Sequence, residues 1–223
     1  SGASGASEAG DSAALFVAVQ ADLSHERGPA AWLRGLPTRN RLALAAVFSA
    51  ALVATIGVTL PRSRFGPMPP SRVVLVVTVL AAVLALTLRL ALRPLQAAPL
   101  SRTLSGVCFA AGLVLPLLFA AGPFPTEFAL SPGVSFVSAA LGCFLLGAIT
   151  GGLVVVLLRA LDRGAHGSRR MALLAATAGG LAANAALELH CPVTAPAHLL
   201  VGHAAVALAL VLFYGAFTRQ SSV

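Results

Sequence analysis

Charged residues are scarce in this 223-residue chain, where they make up 10% of the sequence against 58% for hydrophobic residues. An ordinary soluble domain carries about 25% charged residues, so this composition excludes a water-covered globular surface. Lysine is absent, and all 15 basic residues are arginines. We attribute this to genome composition rather than to a need for guanidinium chemistry. The formal charge of +8 is therefore not interpreted as a nucleic-acid patch, and we expect no direct nucleic-acid partner.

Chemistry-bearing motifs are also few. The three cysteines, Cys108, Cys143 and Cys191, are too few and too widely spaced for a disulfide-stapled secreted domain. There is no Walker loop, GxSxG elbow, HExxH helix or paired-acid pattern, so we expect no enzymatic activity. The first residues lack a basic segment followed by an apolar run, which argues against a signal peptide.

Long apolar runs dominate the rest of the chain. A helix needs about 20 mostly apolar residues to cross a bilayer. Six runs approach this length, at residues 42–60, 73–92, 104–122, 136–158, 171–189 and 198–217. The predicted fold is all-α: a polytopic membrane protein with a six-transmembrane-helix bundle and a short cytoplasmic N-terminal amphipathic helix. We divide it into a tail, 1–40, and a transmembrane domain, 41–218.

The arginines predict the orientation of these spans. With the N-terminus inside, twelve arginines flank the inner ends of the runs and three, Arg62, Arg64 and Arg72, flank the outer ends. Positive residues are retained in the cytoplasm. We therefore expect a multi-pass protein of the bacterial inner membrane, in contact with membrane lipid, with both termini cytoplasmic.

Small residues in the fourth and fifth runs indicate how these spans associate. Gly147 and Gly151 form a GxxxG pattern, and Ala175 and Gly179 repeat the spacing. Because lipid gives helices no hydrophobic reason to associate, small residues mark close helix contacts. We expect these two spans to lie close together, although glycine and alanine are abundant throughout this chain.

An apolar stripe marks the tail. Leu15, Phe16, Val19 and Leu23 recur at helical spacing, with polar residues between them, before Gly28-Pro29 ends the pattern. Such a stripe suits helix-in-groove binding to a partner. The alternative is membrane anchoring, which the neighbouring Trp32 and arginines would also favour.

Polar residues cluster where the fifth run ends and the sixth begins. His190, Cys191, His198 and His203 carry imidazole and thiol groups, the ligand types of zinc and copper sites. We consider these four residues as ligands of a metal ion at the outer face and expect no other cofactor. The alternative is an outer loop whose histidines bond to neighbouring helices.

The cysteines divide by membrane depth. Cys143 lies about seven residues into the fourth run, roughly 10 Å below its outer boundary, and Cys191 lies at the outer end of the fifth. A pair between them is allowed if their Cα atoms lie about 4.4–6.8 Å apart. Cys108, near an inner end, fits a small buried apolar residue.

The order of these features resembles the NrsF family of membrane anti-sigma factors. The resemblance covers most of the chain: the Leu15–Leu23 segment, six spans, a cysteine in the fourth, an Arg-Ala-Leu-Asp-Arg-Gly loop at 159–164, and Leu-His-Cys-Pro at 189–192. It implies an extracytoplasmic-function sigma factor held at the cytoplasmic face and released on an envelope, light, or redox or metal signal. We assign sigma binding to Leu15, Phe16, Val19 and Leu23, and sensing to Cys143 and Cys191. The competing functions are a metal- or redox-binding membrane protein and a small permease.

Overall fold

The computed structural model describes residues 29–60, 70–94, 101–121, 135–162, 169–191, 193 and 195–220. Within these residues all regular secondary structure is helical, and six helices are long and apolar enough to cross a membrane. The prediction of an all-α, six-span bundle is confirmed, and the architecture is that of a multi-pass membrane protein. The predicted amphipathic tail helix, with Leu15, Phe16, Val19 and Leu23, lies outside the described residues.

The described chain begins with a short helix that the sequence patterns did not predict. This helix, α1, covers Pro29–Gly35, and its Trp32 is 68% exposed. Five long helices follow: α2, Thr38–Thr59; α3, Pro70–Ala91; α4, Arg102–Ala121; α5, Phe136–Leu161; and α6, Arg169–His190. The sixth span is composite, made of α7, Pro196–Leu199, a π-helical segment, Leu200–Ala204, and α8, Ala205–Gln220.

Helix α6 is the centre of the bundle. It contacts each of the other five spans, and 89% of its membrane-spanning window is buried, against 17–50% for the other spans. Alanine and glycine fill most of its middle turns, and residues such as Ala182 and Ala186 are fully buried. Small side chains let the surrounding backbones approach it closely.

The tightest crossing that these small residues permit joins α5 to α6. A Cβ atom built on Gly151 would lie 2.8 Å from the carbonyl oxygen of Gly179, and one on Gly179 would lie 2.6 Å from the carbonyl oxygen of Gly151. No side chain fits at either position while the helices keep this separation. The expected close association of the fourth and fifth spans is confirmed.

Two buried arginines complete helix ends. Arg41 on α2 donates to the carbonyl oxygen of Leu161, at the end of α5, over 2.9 Å. Arg72 on α3 donates to the carbonyl oxygen of Phe119 on α4 over 3.3 Å. The last carbonyls of a helix lack intrahelical partners and carry partial negative charge. A buried guanidinium group supplies such a carbonyl with a hydrogen-bond donor and with a positive charge. These contacts also tie the start of one span to the end of another, as in an up-and-down bundle.

Candidate metal centre

Four side chains with metal-ligating atoms converge inside the bundle. They are Cys143, Cys191, His198 and His203; all four are buried, and their ligand atoms lie within 4.8 Å of one another. The sulfur of Cys191 lies 3.2 Å from Nε2 of His198. Four different stretches of backbone therefore bring two thiols and two imidazoles to one point.

These distances fit a tetrahedral ion. Zinc binds sulfur at about 2.3 Å and imidazole nitrogen at about 2.0–2.1 Å, which places neighbouring ligand atoms of a tetrahedron about 3.3–3.8 Å apart. The separations in the cluster extend to no more than 4.8 Å, so the side chains must draw closer by at most about 1 Å to hold such an ion. Two thiolates and a divalent cation also make a neutral complex, which matters because an uncompensated charge is costly in a buried place.

The two cysteines come from elements of defined geometry. Cys143 lies on α5, two turns after the Ser135 hydroxyl accepts from the backbone N–H of Ser138 and caps the helix. Cys191 follows α6 directly, and its backbone N–H donates to the carbonyl oxygen of Leu187 over 2.7 Å. That bond continues the last turn of α6 and holds the thiol against the bundle.

The two histidines converge because of the π-helical segment. They are five residues apart, a spacing that turns side chains about 140° away from each other on an α-helix. A π turn bonds residue i to i+5 and so brings such a pair onto one side. The rings of His198 and His203 lie 5.6 Å apart, centroid to centroid, at 68°. Single π turns occur frequently at functional sites.

Gly202 allows the π-helical segment to approach α5. A Cβ atom at this position would lie 3.2 Å from Cβ of Cys143 and 3.3 Å from the carbonyl oxygen of Ala140. Both distances are shorter than ordinary van der Waals contact, so a larger residue would push the segment away from Cys143. This glycine therefore helps to set the distance between the ligands of α5 and those of the last span.

The thiols are free and interact with their neighbours. Cys191 lies just outside the spans, and its pKa is raised, first by its hydrogen bond with Cys143 and then by burial. Hydrogen bonds with His198 and His203 act in the opposite direction. Within the described part of the chain, Nε2 of His203 is buried without a hydrogen-bond partner. Cys191 is thus a buried thiol that hydrogen-bonds within the cluster, and His203 keeps one ring nitrogen without a partner among the described residues.

Four of the predicted site residues meet in the cluster. Cys143 and Cys191, assigned to sensing, come together, and Cys191, His198 and His203 of the proposed ligand set join them. His190, the fourth proposed ligand, lies outside the cluster: its Nδ1 is 2.8 Å from the carbonyl oxygen of Leu60, at the end of α2.

The remaining predicted positions lie apart from the cluster. Cys108 is buried in a separate apolar group with Leu90, Ala91 and Leu174. The four residues assigned to sigma binding fall outside the described ranges. Sequence reasoning linked Cys143 to Cys191 by membrane depth, and Cys191 to the histidines by the polar cluster after α6, but it did not combine Cys143 with the histidines.

No protein-family model, no curated protein and no solved structure matches this chain.

Proposed function

We propose that this protein is a membrane-bound anti-sigma factor whose buried cysteine and histidine cluster is the sensing element. In this proposal the cytoplasmic face holds an extracytoplasmic-function sigma factor, and a tetrahedral ion of the Zn²⁺ class entering the cluster releases it. The observation that carries the proposal is the convergence of Cys143, Cys191, His198 and His203 at a depth where ligand-type residues are otherwise costly.

The surroundings of the cluster favour a regulatory site over a transport path. Pumps and channels place several ionisable residues along their route, whereas Glu188 is the only acidic residue in the sequence of the six spans. The cavity beside His203 measures about 10 Å³, which is room for about one water molecule. This cavity has room for a water molecule but not for a larger solute.

The donor set supports a zinc-class ion. Thiolate and imidazole ligands in tetrahedral arrangement suit Zn²⁺, whereas carboxylate and carbonyl sets suit Mg²⁺ or Ca²⁺. Four protein ligands leave no open position for a substrate, as in structural rather than catalytic zinc sites. The site is therefore suited to holding an ion and not to hydrolysis of a substrate.

The sigma-binding half of the proposal is supported by the tail and by the resemblance. The stripe formed by Leu15, Phe16, Val19 and Leu23 offers an apolar surface in the tail. Burying each of these side chains against a partner is worth roughly 1.5–3 kcal/mol. The NrsF-like order of tail, spans and Leu-His-Cys-Pro segment points to a sigma factor as that partner.

Metal binding by purified cysteine variants tests the sensing half. In detergent we expect the parent chain to hold one Zn²⁺, and Cys143→Ser and Cys191→Ser to lose it, because each removes a thiolate ligand. Cys108→Ser is the matched control, since this buried cysteine lies in a different group. Absence of zinc in the parent, or equal zinc in all three variants, would show that the cluster is not the metal centre.

Sigma retention by tail variants tests the other half. Phe16→Asp with Val19→Asp should weaken binding by several orders of magnitude while the protein still accumulates in the membrane. Gln20→Asp, outside the stripe, is the control for added charge. A pull-down in which the double variant retains the sigma factor as the parent does would leave the stripe as a membrane anchor only.

The same two experiments identify the second candidate function. A metal- or redox-binding membrane protein in its own right is favoured by the same four-residue cluster. Stoichiometric zinc together with no sigma factor in the parent pull-down would support that function and exclude the tether.

A further inference from the structure

Glu188 is a buried acid that the four-residue cluster does not use. It lies in the last turn of α6, it is 9% exposed, and its Oε1 has no hydrogen-bond partner among the described residues. No other acidic residue occurs in the sequence of the six spans. A carboxylate in such a place is costly unless it is paired, and intramembrane acids mark functional sites by default.

A small cavity connects this carboxylate to the cluster. Its volume is about 10 Å³, and Glu188, Asn184 and His203 supply its polar lining. That volume holds about one water molecule, which needs two to four polar partners. Nε2 of His203 is buried and without a partner among the described residues, as Oε1 of Glu188 is. One water would satisfy both atoms.

Asn184 is less suited to this role. Its side-chain Nδ2 already donates to the carbonyl oxygen of Gly180 over 2.8 Å, so the amide is held by its own helix. Glu188 is the group on the cavity wall that can accept a strong, charge-assisted hydrogen bond.

We propose that Glu188 is a positioning residue for the metal centre, joined through one water to the ring nitrogen of His203 that does not ligate the ion. The proposal rests on the proposed zinc binding of the cluster. A metal-ligating histidine nearly always donates its other N–H to a carboxylate, a carbonyl or a water, which fixes its tautomer and orientation. Glu188 supplies this second contact through the water. The same water gives the buried carboxylate oxygen of Glu188 the hydrogen-bond partner that it lacks.

Zinc affinity of the full-length protein in detergent, measured by competition with a chromophoric chelator, tests the proposal. Loss of such an outer contact typically costs 10–100-fold in metal affinity, and we expect that loss for Glu188→Gln. The Co²⁺-loaded variant should keep the absorption bands of a tetrahedral, two-thiolate site, because the ligands are unchanged. Asn184→Ala, on the same cavity wall, is the control and should stay within about threefold of the parent.

A double-variant comparison separates positioning from general damage. If Glu188 acts through His203, Glu188→Gln should add no loss of affinity to a His203→Ala protein, which keeps three ligands. An additive loss, or parent affinity in Glu188→Gln alone, overturns the proposal while zinc binding stands. A parent protein that takes up no zinc overturns both.

Discussion

Replacing Gly151 by alanine should destabilise the bundle at its tightest crossing. The added Cβ atom would lie 2.8 Å from the carbonyl oxygen of Gly179, about 0.6 Å short of ordinary contact. That oxygen belongs to the backbone of α6 and cannot rotate away. Helices α5 and α6 must therefore separate, and α6 is the helix on which the other spans are packed.

Gly152→Ala gives the magnitude of this effect by comparison. Its Cβ would meet nothing within 4 Å, so this variant gains only the helix propensity of alanine, about 1 kcal/mol over glycine. Gly151→Ala has the same gain but also an overpacking cost of about 1–3 kcal/mol. The two variants should differ by that cost, which corresponds to about 2–12 °C in melting temperature for a chain of this size.

Thermal unfolding of both variants in the same mild detergent measures the difference, with the folded fraction followed by size-exclusion chromatography after heating. Gly151→Ala should melt well below Gly152→Ala. Equal melting temperatures would refute the close backbone crossing, since both substitutions add the same methyl group to the same helix one residue apart.

Two further predictions concern the cluster and the membrane orientation. Gly202→Ala should weaken zinc binding, because its Cβ atom would lie 3.2 Å from that of Cys143. Gly142→Ala is the control and should keep the parent affinity, because its Cβ atom would meet nothing within 4 Å. Competition with a chelator measures the zinc affinity of both variants. Reporter fusions at residue 165 should be active only with a cytoplasmic reporter and those at residue 195 only with a periplasmic one, and the reverse pattern at either loop would contradict the arginine-based topology.

The number and place of the spans were predictable because both depend on the length of apolar runs. Which span lies at the centre was not. Helix α6 has the lowest mean hydropathy of the six, 1.4, and yet the largest buried fraction, while α3, at 2.6, is 33% buried. In lipid the most apolar helices gain nothing by leaving the surface, and a helix of small residues can be surrounded closely. Hydropathy therefore predicts insertion but not position within the bundle.

The candidate site was predictable in part. The residue types and the loop after α6 pointed to Cys191, His198 and His203, and membrane depth pointed to Cys143 as a neighbour of Cys191. Neither argument placed Cys143 in one site with His198 and His203. His190 was included only because it is adjacent in sequence, and it contacts Leu60 instead. The π-helical segment, which brings the histidines together, leaves no recognisable sequence pattern.

The proposed coupling between zinc and the sigma factor leads to one further prediction, which follows from thermodynamics alone. If Zn²⁺ at the cluster weakens sigma binding by some factor, the sigma factor must weaken Zn²⁺ binding by the same factor. Couplings of this kind are typically 5–150-fold. Helix α6 is the natural connection, because Cys191 directly follows its last residue, His190, and 89% of its spanning window is buried.

Zinc affinity should therefore be measured with and without saturating sigma factor, and sigma affinity with and without saturating zinc. We expect equal factors for the parent and for Cys108→Ser, which keeps all four cluster residues. A sigma factor that leaves zinc affinity unchanged, in a protein that nevertheless releases it on adding zinc, would mean that the zinc acts at another site. The cluster would then be a structural centre, and the sensing role of Cys143 and Cys191 would be wrong.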